Sequence, residues 1–241
     1  MNLNLKNVQI SGIRKFYNEV KKIDGAISLT LGQPDFPVPK VVKEALINAV
    51  NEDKTVYTEN AGILPLRKEI SQYLMKRGID YSADEICITV GGSEAIDLAM
   101  RAMLDPGDEV LIPQPSYVSY VPCAQLIHAV PVIIELKEEN EFRLTKQELL
   151  DAITDKTKML VMPFPNNPTG AIMKKENLEE IAKVCVEKDI FVLSDEIYSE
   201  LTYKDKHVSI ASMPGMKERT VVINGFSKSY AMTGWRLGYA A

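Results

Sequence analysis

The sequence predicts an α/β protein: a mainly parallel seven-stranded sheet with helices on both faces. Two observations carry that expectation. Short continuous apolar runs such as Thr220-Val221-Val222-Ile223-Asn224 recur along the chain, as in strands covered on both sides. Between them lie stretches with helical apolar spacing, so strand, turn and helix alternate.

Residues 1–30 read as an N-terminal arm, with a short helix over Ile10 to Val20 and Ser11 as its N-cap. The segment Leu29-Thr30-Leu31-Gly32-Gln33-Pro34-Asp35-Phe36-Pro37-Val38-Pro39 holds three prolines and a glycine and forbids regular structure. A helix follows over Val41 to Asn51, with Val42, Ala45, Leu46 and Ala49 on one face. After the irregular Tyr57-Thr58-Glu59-Asn60-Ala61-Gly62, another helix is expected from Leu64 to Arg77, ended by Gly78.

The alternation then begins. Strands are expected at 85–90, 109–112, 129–136, 158–162, 190–194, 220–224 and 237–241. Helices are expected at 94–104, 116–126, from Thr145 to near Ile153, and 174–188. Thr145 and Glu148 have the spacing of a capping box.

The gross numbers exclude several classes. A net charge of −5 and no basic run argue against a nucleic-acid partner. No apolar run approaches the roughly 20 residues that span a bilayer, so no membrane partner is expected either. Cys87, Cys123 and Cys185 are odd in number and far apart, which fits reduced thiols in a cytoplasmic setting. With only His128 and His207, and no Cys-x-x-Cys, no metal site is expected.

Ligands of such sheets bind beyond the carboxyl ends of the strands. After the first strand comes Gly91-Gly92-Ser93-Glu94, a turn opening a helix, where backbone N–H groups can hold a phosphate. After the fourth comes Pro163-Phe164-Pro165-Asn166-Asn167-Pro168-Thr169-Gly170. After the fifth comes Ser194-Asp195-Glu196-Ile197-Tyr198, where Asp195 is a ligand group or merely a helix cap. After the sixth comes Lys228, between Ser227 and Ser229, with Arg236 eight residues on. Taken alone, Lys228 is equally readable as an ordinary solvated lysine.

Together these tips suit a pyridine ring bearing a phosphate, an aldehyde and a phenolic oxygen. Lys228 would form an imine with the aldehyde. Asp195 would face the ring nitrogen, and Asn167 and Tyr198 the phenolic oxygen. Gly92, Ser93, Glu94, Ser227 and Arg236 would hold the phosphate. Tyr117 would lie flat on the ring, unless it is simply a core aromatic.

Asn166-Asn167-Pro168-Thr169-Gly170, Ser194-Asp195-Glu196-Ile197-Tyr198 and the run from Ser227 through Lys228 and Gly234-Trp235-Arg236 to Tyr239 resemble the class I/II aminotransferases, fold-type I enzymes using pyridoxal 5′-phosphate. The resemblance runs from about Leu29 to the last residue. It implies a homodimer with shared sites, amino-acid and 2-oxo-acid substrates, and a ping-pong exchange through Lys228. It also implies that Tyr57 reaches the partner's phosphate, although a surface turn aromatic reads the same way. Gly32 and Asn167 would lie near the substrate. Residues 31–241 become the cofactor-binding large domain, and residues 1–30 an arm or part of a small domain. The family continues well beyond this length with a C-terminal small domain that carries a carboxylate-binding arginine. The chain therefore reads as shortened, binding cofactor with little or no turnover. A C–S β-lyase of the same fold and, more remotely, a non-catalytic aminotransferase-like domain are the alternatives.

Overall fold

The structure is a computed structural model that describes Lys6, Val8 and residues 12–241. The N-terminal helix α1 spans Gly12–Val20; the proposed cap Ser11, with Ile10, lies outside the described residues. Helices α2 (Lys40–Asn51) and α3 (Leu64–Met75) follow, then strand β1 (Cys87–Thr89) and helix α4 (Gly92–Met103). The remainder alternates: β2 (Glu109–Gln114), α5 (Tyr120–Leu126), β3 (Val130–Glu135), α6 (Lys146–Ala152), β4 (Thr157–Met162), α7 (Lys175–Glu187), β5 (Phe191–Asp195), β6 (Thr220–Gly225) and β7 (Gly238–Ala240).

The seven strands form one sheet in the order β1-β7-β6-β5-β4-β2-β3. The pairs among β2 to β6 are all parallel, whereas β7 runs antiparallel to both β1 and β6. This reversal matters for the site. Gly238, the first residue of β7, pairs with Thr89 and Gly225, the last residues of β1 and β6. The segment leading into β7, including Arg236, therefore arrives at the same sheet edge as the other strand tips.

Burial follows strand alternation. Val192 packs with Leu160 and the α7 residues Ile181 and Cys185 on one face, while its neighbour Leu193 packs with Ala95, Ile96 and Met100 of α4 on the other. A third cluster joins Ile70 and Leu74 of α3 to Tyr81, Val222 and Tyr239. Burying side chains of this size contributes about 1.5–3 kcal/mol each, so the central strands anchor everything at their tips.

Several boundaries depart from the sequence expectation, and three elements show the local cause. The first strand is only Cys87–Thr89, because Ser82 and Glu85 form a capping box around a 3₁₀ turn at Ala83–Glu85. At its other end Val90 donates its N–H to Glu94 Oε2. Helix α5 begins at Tyr120 rather than Ser116. Pro122 explains this: in the first turn its missing N–H costs nothing, whereas a helix from 116 would need that donor. Helix α3 ends at Met75, and Gly78 adopts φ 76° to close it. The Thr145–Glu148 box at the start of α6 forms as expected, with reciprocal bonds of 3.2 and 2.9 Å.

Candidate active site

The strand tips meet as three chemical parts. The first surrounds Asp195, the last residue of β5, which is 7% exposed. Tyr120 Oη donates to Asp195 Oδ2 at 2.7 Å, and the Ile197 N–H donates to Oδ1 at 3.2 Å. Burial nevertheless pushes the carboxyl up to about 6, with the two hydrogen bonds opposing and the charge of Glu196 adding to the rise. Among the described residues, no cation pairs with Asp195.

Tyr120 has a clear role here that the sequence reading left unassigned. It is 2% exposed, and burial followed by the Asp195 charge holds its phenol well above the usual range, so it remains a donor. The available signal was its place three residues after Tyr117 in Pro115-Ser116-Tyr117-Val118-Ser119-Tyr120. The two rings meet edge-to-face, centroids 5.7 Å apart.

The second part is the amine. Lys228 lies three residues beyond β6, with Nζ 5.5 Å from the Tyr198 ring centroid. Burial, followed by the positive charge of Arg236, lowers its pKa below that of an ordinary lysine. Its ammonium donates to the Gly32 carbonyl at 2.5 Å, so the N-terminal segment does reach the site. Burial raises the Tyr198 phenol, and the neighbouring Asn167 side chain opposes that rise. Asn167 is presented by a closed loop: Asn166 donates to the Pro115 carbonyl and accepts from the Thr169 N–H and hydroxyl.

The third part is an anion cradle. Helix α4 begins after Gly91 with no side-chain cap, leaving its first N–H groups unsatisfied within the helix. Ser93 Oγ and Tyr117 Oη lie 3.4 Å apart beside it. The Arg236 guanidinium sits over Gly91 so closely that a Cβ there would be 2.3 Å from Nη2. Gly238 is equally confined, since its Cβ would meet the Gly91 carbonyl carbon at 2.6 Å. Arg236 itself adopts left-handed backbone, φ 53°, and its guanidinium donates to the Thr233 carbonyl. A cation at the positive end of a helix is unfavourable until an anion joins it.

Other expected residues take different places. Glu94 commits its carboxylate to Val90 N–H, so its own backbone N–H is what it can offer an anion. Ser227 is half-buried on the Lys228 turn. Tyr57 is fully exposed.

Among the described residues, Asp195 pairs with no cation and Arg236 with no carboxylate, and together with the α4 N-terminus and a lysine of lowered pKa they suit one ligand with complementary ends. Pyridoxal 5′-phosphate has a basic ring nitrogen, a phosphate and an aldehyde, and the residues present fit it.

The chain belongs to the aminotransferase class I and II family, whose model matches residues 24–241. Members of this family are pyridoxal-phosphate-dependent enzymes. A Bacillus subtilis protein named "Probable N-acetyl-LL-diaminopimelate aminotransferase" is 48% identical over 241 residues, covering 99% of this chain and 61% of that protein. "Aromatic-amino-acid aminotransferase 2" of Thermococcus litoralis is 46% identical, covering 98% and 62% respectively. The solved aspartate aminotransferase of Thermus thermophilus with maleate superposes with a TM-score of 0.96 at 36% identity, covering all of this chain and 64% of that one. The chain thus spans about six-tenths of the length of these relatives.

Proposed function

We propose that this chain is the cofactor-holding part of an aminotransferase that moves an amino group between an amino acid and a 2-oxo acid in two ping-pong half-reactions. The observation that carries the reading is the meeting at one sheet edge of Asp195, Lys228 and Arg236, none of which pairs with an opposite charge among the described residues. The bound cofactor supplies the electron sink. Asp195, fixed by Tyr120, holds the ring-nitrogen proton. Asn167 and Tyr198 donate to the phenolic oxygen, and Tyr117 covers the ring. The α4 N-terminus, Ser93, Ser227 and Arg236 hold the phosphate. Lys228 would hold the cofactor through its aldehyde and, as the free amine, would move a proton from substrate Cα to the cofactor's C4′.

Gly32, already at Lys228 Nζ, borders the substrate position. Tyr57, fully exposed, completes the phosphate site of a second copy in a cytoplasmic homodimer. Residues 31–241 form the large domain. Because the relatives are longer, the 241 residues alone bind the cofactor with little or no turnover.

The test is borohydride reduction of the purified chain with pyridoxal phosphate, followed by peptide mass mapping. The expected adduct is on Lys228 and disappears in Lys228→Ala; an adduct on another lysine overturns the assignment. Saturable turnover of amino donors with 2-oxoglutarate would contradict the expected inactivity of the 241 residues alone. Pyruvate release from cysteine conjugates, without consumption of a 2-oxo acid, would point to a lyase.

A further inference from the structure

Two acids stand side by side at the tip of β5 and face opposite sides of the sheet. Asp195 faces Tyr120 and the α4–α5 side. Glu196, 2% exposed, faces the α3 side, where its charge is felt by Tyr81 and Tyr239. The proposed chemistry uses Asp195 and has no use for Glu196.

Yet Glu196 is heavily engaged. Its Oε1 accepts from Ser194 Oγ at 2.9 Å and Ser209 Oγ at 2.5 Å, and both serines are buried. His207 Nε2 stands 3.0 Å from Oε2 but off the hydrogen-bonding line, a close polar approach rather than a directed bond. These contacts join the start of the 196–209 loop to its end. The loop between is poorly packed: Leu201 and residues 203–206 are exposed, and Tyr203 is fully so. Its other ties, Ser199 to Asn224 and Glu200 to Tyr73 and Arg77, lie nearer the surface.

Tyr198 sits two residues after Glu196, on the turn closed by Ser199 N–H to the Glu196 carbonyl at 2.9 Å. Whatever fixes Glu196 fixes the root of that turn. We propose that Glu196, clamped by Ser209 and His207, is a positioning residue that holds the Tyr198 hydroxyl against the phenolic oxygen of the cofactor. The inference rests on the cofactor reading above.

The experiment follows the visible absorption band of pyridoxal phosphate bound to the 241-residue chain as pH is varied. Tyr198→Phe removes a donor that favours the ionised phenolic oxygen, so the midpoint of the band change should rise by about one pH unit. His207→Leu and Ser209→Ala loosen the clamp and should raise it in the same direction, by a smaller amount. In a Tyr198→Phe background neither should add a further shift, because the hydroxyl they position is gone. A general loss of structure would act equally in both backgrounds. Ser209→Ala removes a single hydroxyl, so it keeps the test readable if His207→Leu fails to fold. If the unaltered chain gives no visible band reducible onto Lys228, the cofactor reading falls and this inference with it. If the band is present but the clamp variants leave its midpoint in place, or shift it as far without the Tyr198 hydroxyl as with it, the inference alone is overturned.

Discussion

The strand-tip region and the N-terminal region contribute to the same site in opposite ways. Asp195, Tyr120 and Glu196 are held by a packed interior, and each has partners at defined distances. From α1 through Tyr57 the chain has almost no interior. Helix α2 buries none of its residues, and Ile27, Leu29, Val56 and Tyr57 are almost entirely exposed. This region is joined to the site by the Gly32 carbonyl on Lys228. Packing thus fixes the strand-tip groups, while among the described residues the N-terminal segment meets them through the Gly32 carbonyl.

Substitutions can break or sharpen this contrast. The largest effect belongs to Lys228→Ala, which should remove the reducible adduct completely while leaving the melting temperature close to that of the parent chain. Leu160→Ala, in the centre of the sheet, should cost about 2–5 kcal/mol in chemical denaturation. Asp195→Asn should do the reverse in the cofactor-free chain. The raised carboxyl means that the folded state binds this proton more tightly than the unfolded chain does. Its favourable contribution is therefore greatest below about pH 4 and is lost as pH rises to about 6. At neutral pH the substitution should stabilise the cofactor-free fold by up to about 3 kcal/mol and flatten that pH dependence.

Tyr120→Phe is a smaller perturbation. It removes one hydrogen bond to a buried carboxylate, so about 1–3 kcal/mol is at stake. It should also push Asp195 further up, moving the acid limb of cofactor binding to higher pH in a spectrophotometric titration. Ile27→Ser, in the exposed segment, should change unfolding free energy by less than about 0.5 kcal/mol. A larger loss there would show that the N-terminal region is packed after all.

The sheet and most of its tips were readable because they follow from repetition. Apolar runs have a period, and Lys228, Asp195 and Asn167 each stand just beyond one. The direction of β7 was not readable, since an apolar run such as Leu237 to Ala241 looks the same in either sense. Only pairing shows that it brings Gly238 against Gly91. Tyr120 and Glu196 escaped assignment because a tyrosine at a helix start and an acid after a strand each have commoner, blander uses. Their meaning depends on partners 75 and 13 residues away, Asp195 and Ser209. Pro122 marks the start of α5 at Tyr120, because a helix from Ser116 would need the N–H that proline lacks.

The central claim is that one cofactor meets the uncompensated charges of Asp195 and Arg236. The most direct measurement is the melting temperature of the 241-residue chain with and without pyridoxal phosphate, in parallel with Asp195→Asn. At about 100 times its Kd the cofactor should stabilise the unaltered chain by about 2.7 kcal/mol, and that gain should vanish in Asp195→Asn. An equal gain in both proteins would contradict the account.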